Sequence, residues 1–182
     1  MRRAVVSDRL PDILASNLSV IFCGINPGAT AAAAGHHFVS PSNRFWRVLH
    51  LSGFTPGQIR PQDDHTILDY GYGLTTAVGR PTRRAGDLSR LELASSAGAL
   101  ERKIETHAPR VVAFLGKAAY AAIVAEPVLW GPQSVRLGGS LVWVLPNPSG
   151  LNRNFNLDGL VRAYRELRLA VAEGEVGFGR LT

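Results

Sequence analysis

The chain has 182 residues, 46% hydrophobic and 19% charged, which is enough for one domain with a substantial core and short for two. Its single cysteine, Cys23, excludes a disulfide framework, cysteine-ligated zinc and iron–sulfur clusters within one chain. The net charge of +6 comes from an arginine surplus in which only Lys103 and Lys117 are lysines; it directs attention to a polyanion such as nucleic acid, although an arginine-rich proteome would give the same bias.

The N-terminal Met1-Arg-Arg-Ala-Val-Val-Ser-Asp8 is basic but lacks an apolar core, so no secretory signal is read. No apolar run approaches the ~18 residues of a membrane span, and a cytoplasmic protein without membrane contact is expected. Leu18–Gly24 is the first β-type run, and Cys23 inside it reads as a small buried hydrophobe. Ala29–Gly35 reads as a flexible loop or a stub of helix. Pro41–Leu51 reads as a helix with Phe45, Val48 and Leu49 on one face. Asp87 reads as the N-cap of a helix over Leu88–His107, whose buried side takes Leu91, Ala94, Gly98, Leu100 and Ile104. A second strand over Arg110–Gly116 leads into a helix over Lys117–Val124. A weaker strand, Ser134–Leu137, turns at Gly138-Gly139 into the third strong run, Leu141–Pro146. The helix Leu157–Glu173 closes the pattern with Leu160, Val161, Tyr164, Leu167 and Val171. Strands alternating with helices, with no linker and no repeat, predict a single α/β domain over residues 1–182: a three-layer α/β/α sandwich around a mostly parallel central sheet.

Two loops share one design. The first strand runs into Ile25-Asn26-Pro27-Gly28 and the third into Pro146-Asn147-Pro148-Ser149-Gly150. Each places an asparagine just past the carboxyl end of a buried strand, the edge where open α/β sheets bind ligands. Proline holds the preceding asparagine extended, and the glycine that follows permits close backbone approach. One Asn-Pro-Gly alone is only a turn signal. Two, each closing a buried strand, make a two-loop site without naming its substrate.

Gly24-Ile25-Asn26-Pro27-Gly28, Ser42-Asn43-Arg44-Phe45-Trp46 and Asn147-Pro148-Ser149-Gly150-Leu151 resemble the mismatch-specific uracil-DNA glycosylase and thymine-DNA glycosylase family, in the uracil-DNA glycosylase superfamily. Leu68-Asp-Tyr-Gly-Tyr-Gly-Leu-Thr-Thr76, Arg80-Pro-Thr82 and Val112-Ala-Phe-Leu-Gly-Lys-Ala-Ala-Tyr120 fit it too, and the likeness runs over about residues 10–170. The resemblance implies a monofunctional DNA glycosylase of base excision repair. Such an enzyme hydrolyses the N-glycosidic bond of flipped-out uracil, with thymine or modified pyrimidines as further candidates, opposite guanine in double-stranded DNA. It implies that Asn26 orients the attacking water, that Phe38 stacks on the base, and that backbone groups of Ile25 and Gly28 bind the pyrimidine edge. Asn147 and Ser149 then lie near the flipped nucleotide. Gly150-Leu151-Asn152-Arg153 matches the wedge that fills the gap in the duplex.

Ala31 stands where some bacterial members have a serine crowding the pyrimidine 5-methyl group, Thr76 where members have lysine or asparagine, and Asn152 where they have serine. Arg83 and Arg84 are candidates to track phosphates. Leu151 also reads as an ordinary loop leucine, and Arg153 as a solvated arginine. Asp87 is a candidate carboxylate helper as well as a helix cap, with Asp69 the other acid nearby in the motifs. His36 and His37 are adjacent, a poor chelating arrangement, and read as polar loop residues. Neither metal nor cofactor is expected. With no lysine in the two loops there is no nucleophile for a Schiff-base lyase. The expected partner is a duplex with a G·U or related mispair, bound by a monomer in the bacterial cytoplasm or nucleoid. A non-catalytic mismatch-binding module and a small-molecule nucleoside hydrolase are the rivals. The first needs no Asn26, and the second needs neither Leu151 nor the arginines.

Overall fold

Val20–Gly24 (β1) and Val111–Leu115 (β3) are buried along their whole length, as apolar strands covered on both faces must be. The computed structural model in which they lie describes residues 9–174, apart from 122, 125 and 126. These two strands pair in parallel, Tyr72–Thr76 (β2) adds to β1 and Leu141–Leu145 (β5) to β3, both also parallel. Gly131–Pro132 (β4) closes the far edge antiparallel to β5, giving the order β2-β1-β3-β5-β4.

Alternation along the strands divides the core in two. Val20, Phe22, Val111, Ala113, Leu115 and Leu145 pack with helices α2 (Phe45–Ser52) and α5 (Leu157–Ala172). Ile21, Cys23, Val112, Phe114, Val142 and Val144 pack on the opposite face with α3 (Arg90–His107) and α4 (Lys117–Ala121). The fold is the expected three-layer α/β/α sandwich with a mostly parallel sheet. Among the described residues no helix is long and apolar enough to cross a membrane.

Several local expectations change. β2 is a strand that the hydrophobic pattern does not announce, because Tyr72-Gly-Leu-Thr-Thr76 has one aliphatic residue at its centre. Ser134–Leu137 is no strand. It contributes only a Leu137–Ser140 bridge around the Gly138-Gly139 turn, and Gly131–Pro132 pairs with β5 instead. Ala29–Gly35 resolves as a helix over Ala29–Ala34 (α1). The helix expected from Pro41 begins at Phe45, and Asn43 Oδ1 accepts the Phe45 N–H at 2.9 Å just ahead of it. Of the helix expected over Lys117–Val124, Lys117–Ala121 is helical, residue 122 lies outside the described residues, and Ile123 and Val124 are not helical. Asp87 is not the N-cap of α3. Ser89 is, with its hydroxyl accepting the Glu92 N–H, while the Asp87 carboxylate accepts the Arg84 N–H in a short 3-10 turn. Leu91 is 79% exposed, and Ala94 and Gly98 are exposed too, so Leu100 and Ile104 alone of the expected set are buried. Cys23 is buried in the sheet, and burial pushes its thiol up to about 12, which leaves it an inert core residue.

The outer edge of β2 is covered by the N-terminal segment, where Ile13 and Leu74 exchange backbone hydrogen bonds of 2.9 and 2.8 Å. The approach is close enough that a Cβ at Gly73 would sit 2.6 Å from Leu18 Cδ1 and 2.8 Å from the Ile13 carbonyl oxygen. Gly73→Ala is expected to cost about 1–3 kcal/mol, lowering the melting temperature by about 2–4 °C per kcal/mol in a chain of this size. A calorimetric melt of the variant beside the parent checks it.

Candidate active site

The carboxyl ends of β1, β3 and β5 open on a cleft of about 780 Å³. Asn26 and Asn147, more than a hundred residues apart, both line it because parallel pairing brings their strands to the same edge. Among the described residues no carboxylate lines it; Arg83 and Arg84 sit on its rim, both exposed. Its charged side chains are therefore wholly cationic.

Asn26 is held by its amide nitrogen. Nδ2 donates to the Arg80 carbonyl oxygen at 2.8 Å and to Thr82 Oγ1 at 2.8 Å, while the Thr82 hydroxyl donates to the Arg84 carbonyl oxygen at 2.8 Å. The amide cannot be turned over, because the Arg80 carbonyl only accepts and the Thr82 proton is already committed. Oδ1 is left without a protein partner among the described residues, an acceptor in the cleft wall. The partner loop is tied down in turn. Ala29 N–H donates to Thr82 O and Thr82 N–H to Pro27 O, at 2.9 and 3.1 Å. In this parallel bridge Gly28 lies opposite Thr82, so the N–H of Gly28 itself points the other way and has no backbone partner among the described residues. The Ile25 carbonyl accepts from Val78 N–H at 2.9 Å, so it already has one partner. At the outer end, Arg80 Nε and Nη2 grip both oxygens of Glu92 at 2.6 and 2.9 Å, fastening the loop to the first turn of α3.

Phe38 forms an aromatic wall of the cleft. Its ring stacks on buried Phe45 with centroids 4.0 Å apart and meets Trp46 edge-on. Its φ is +52°, a left-handed conformation that costs a bulky residue about 1–3 kcal/mol. The preceding residue shows what holds it there. His37 N–H donates to Asp64 Oδ2 at 2.8 Å, His37 Nε2 donates to the Pro11 carbonyl at 2.8 Å, and the His37 carbonyl accepts from Trp46 Nε1 at 3.1 Å. Asp64 is buried and also faces His36 Nδ1 at 3.4 Å. Burial lowers the His37 pKa, against the opposing effects of its hydrogen bond to Pro11 and the nearby Asp64. The adjacent histidines are thus part of the frame for Phe38 rather than plain loop residues. Among the described residues no group of His, Cys, Asp and Glu assembles that could hold a metal ion.

The second loop is held from beneath by Arg44. Its Nε donates to the Pro148 carbonyl at 3.2 Å, Nη1 to Phe155 O at 2.7 Å, and Nη2 to Ser149 O and Asn152 O at 2.8 and 3.0 Å. Asn147 Oδ1 accepts the Ser149 N–H at 2.9 Å, and its carbonyl accepts from Asn152 Nδ2 at 2.8 Å. The loop also presses on Ser42: a Cβ at Gly150 would lie 2.7 Å from the Ser42 carbonyl oxygen. So braced, the loop presents Leu151 at 80% exposure on the cleft rim.

Of the residues singled out in the sequence, Ile25, Asn26, Gly28, Ala31, Phe38, Thr76, Arg83, Arg84, Asn147, Ser149, Leu151 and Asn152 all line the cleft. Gly150 and Arg153 lie in the same loop without lining it. Asp87 and Asp69 are exposed and stand off the cleft, and Asp87 is engaged by Arg84 N–H. The residues that sequence reasoning passed over are Thr82, Arg44 and Asp64. The first two lay inside quoted motifs and only their partners were invisible; Asp64 had no local signal at all.

A family model described as the uracil DNA glycosylase superfamily matches residues 11–168, which include both loops and every strand. Among solved structures, the solution NMR structure of a provisionally assigned uracil DNA glycosylase from Methanosarcina acetivorans aligns with a TM-score of 0.60. The identity is 19%, with 88% of this chain and 97% of that chain covered, so the likeness is one of fold.

Asp64 is expected to separate into charge and hydrogen-bonding roles. Asp64→Ala strands the buried His37 N–H and should cost about 1–3 kcal/mol; Asp64→Asn, which keeps an acceptor oxygen, should cost distinctly less. Urea unfolding midpoints of the two variants beside the parent measure the difference.

Proposed function

The chain belongs to the uracil DNA glycosylase superfamily, and from that premise we propose that it hydrolyses the N-glycosidic bond of uracil mispaired with guanine in double-stranded DNA, leaving an abasic site for base excision repair. The observation that carries the proposal is the locked amide of Asn26, whose oxygen is left without a partner among the described residues, in a cleft that Phe38 also lines.

The chemistry follows from what the cleft has and lacks. A base in a duplex is out of reach, so the nucleotide rotates into the cleft at a cost of a few kcal/mol, less at a mispair. Leu151, exposed on a braced loop, fills the space it leaves, as apolar wedges do between base steps. Phe38 offers its ring to the face of the base. As the glycosidic bond lengthens, positive charge builds on the sugar and negative charge on the pyrimidine. The N–H of Gly28, without a backbone partner among the described residues, is the group assigned to stabilise the second, the term that usually contributes most. Asn26 Oδ1 orients a water toward the sugar. An amide is no base at neutral pH, and with no carboxylate among the described residues lining the cleft the water adds late, to a sugar already cation-like. Arg83, Arg84 and Arg153 supply phosphate contacts.

Ala31 keeps the wall near the base small, and Thr76 offers a short side chain. The range therefore extends in principle to thymine and modified pyrimidines, since one methyl group is worth only ~1–3 kcal/mol of discrimination. The absence of lysine from both loops makes the enzyme monofunctional, acting as a monomer on one duplex.

Duplexes with G·U, A·U or G·T and single-stranded uracil DNA, incubated with the protein and then treated with alkali, should break at uracil fastest in G·U. Without alkali the strand should stay whole. Asn26→Ala should slow single-turnover cleavage by about 100-fold or more, with affinity for the G·U duplex largely kept. Tight duplex binding with no alkali-labile site would point to a mismatch-binding module instead.

A further inference from the structure

The carboxyl edge of the sheet continues beyond the cleft and the wedge. β4 runs antiparallel to β5 with Gly131 opposite Val144, so the chain entering β4 sets Trp130 beside the end of β5, level with the root of the Leu151 loop. The Trp130 ring meets Phe155 edge-on at 5.4 Å between centroids, and the Phe155 carbonyl is one of those gripped by Arg44. Lys117, the first residue after the Gly116 turn at the end of β3, holds its Nζ 4.7 Å from the Trp130 ring centroid. Trp130 is 45% exposed and Leu129 68%, whereas Trp46 and Trp143 are buried. Among the described residues Lys117 has no carboxylate partner. An exposed indole, an exposed leucine and a half-buried lysine, one of only two in the chain, thus stand together beside the loop that carries Leu151.

We infer that Lys117 and Trp130 form a second DNA contact, on the far side of Leu151 from the cleft. This rests on the reading that the cleft acts on duplex DNA. Lys117 meets a backbone phosphate, and the exposed part of Trp130 with Leu129 packs on the adjoining sugar or base. Charge and continuity both favour a duplex over another occupant here. The chain carries +6, the patch adjoins the proposed wedge directly, and its one ion among the described residues is a cation with no described carboxylate paired to it. From β1 to β4 is three strand steps, about 14 Å, or about four base-pair rises of ~3.4 Å. The contact therefore falls within about four base pairs of the flipped nucleotide.

Trp130 is also the reporter. In the full-length chain carrying Asn26→Ala, which leaves the substrate intact, titration with a G·U duplex should change tryptophan emission, and the change should vanish with Trp130→Phe while affinity stays within about twofold. Trp130→Ala should weaken binding about five- to tenfold, a modest share of what base–aromatic contacts give. Lys117→Gln should reduce the slope of log K against log salt by about 0.9, the value of one phosphate contact. If the parent cleaves G·U DNA but Trp130→Ala and Lys117→Gln bind with parental affinity and salt slope, the contact is refuted and the patch is open to a protein partner. If the parent neither binds nor cleaves the duplex, the reading beneath the inference is refuted as well.

Discussion

Two hydrogen bonds from one amide nitrogen organise this molecule's proposed chemistry. Asn26 sits past the end of β1, and its acceptors lie in a loop more than fifty residues away in sequence. That loop is joined to the Asn26 loop by a parallel bridge, hydrogen-bonded through Thr82, and fastened to α3 by the bidentate Arg80–Glu92 pair. The pair is partly exposed and by itself worth little to stability. Its value is positional, because it fixes the carbonyl that fixes the amide. An asparagine has no useful proton chemistry, so orientation is all it can supply, and orientation is what this arrangement secures.

The other two walls obey the same logic by different means. Phe38 is held in a left-handed backbone by hydrogen bonds to the N–H, the carbonyl and Nε2 of His37, so its strain is offset one residue away. The Leu151 loop has little secondary structure of its own, and Arg44 compensates by donating to four of its carbonyls. A lysine there could not reproduce that fork. The two Asn-Pro loops, alike in sequence, therefore diverge in physics. In the first the asparagine nitrogen is bound and the oxygen left open. In the second the Asn147 oxygen is spent on the Ser149 N–H, and the exposed product of the loop is a leucine.

What could be read from the sequence tracks how locally each feature is encoded. β1, β3 and β5 are continuous apolar runs, and burial on both faces demands that composition, so the sheet and its layers were legible. β2 was not, because its outer edge is covered by the Ile13 segment rather than by its own hydrophobicity. Asp87 and Ser89 are both good caps two residues apart, and only the 3-10 turn that engages Asp87 decides between them. The expected buried stripe on α3 extended to Leu91, yet Leu91 is 79% exposed and at that end of the helix it is Leu93 that packs against the core. The cleft residues came from motifs carried on two strand ends. Their supports, Thr82, Arg44 and Asp64, act through partners up to 111 residues distant and leave no periodicity to read.

The clamp on Asn26 can be tested without touching Asn26. Thr82→Val keeps the shape of the side chain and removes its hydroxyl, while Thr82→Ser restores it. With a G·U duplex at saturating enzyme, the account predicts that Thr82→Val slows the single-turnover chemical step about 10- to 100-fold, leaves duplex affinity unchanged, and is largely rescued by Thr82→Ser. A Thr82→Val enzyme that cleaves at the parental rate would contradict it.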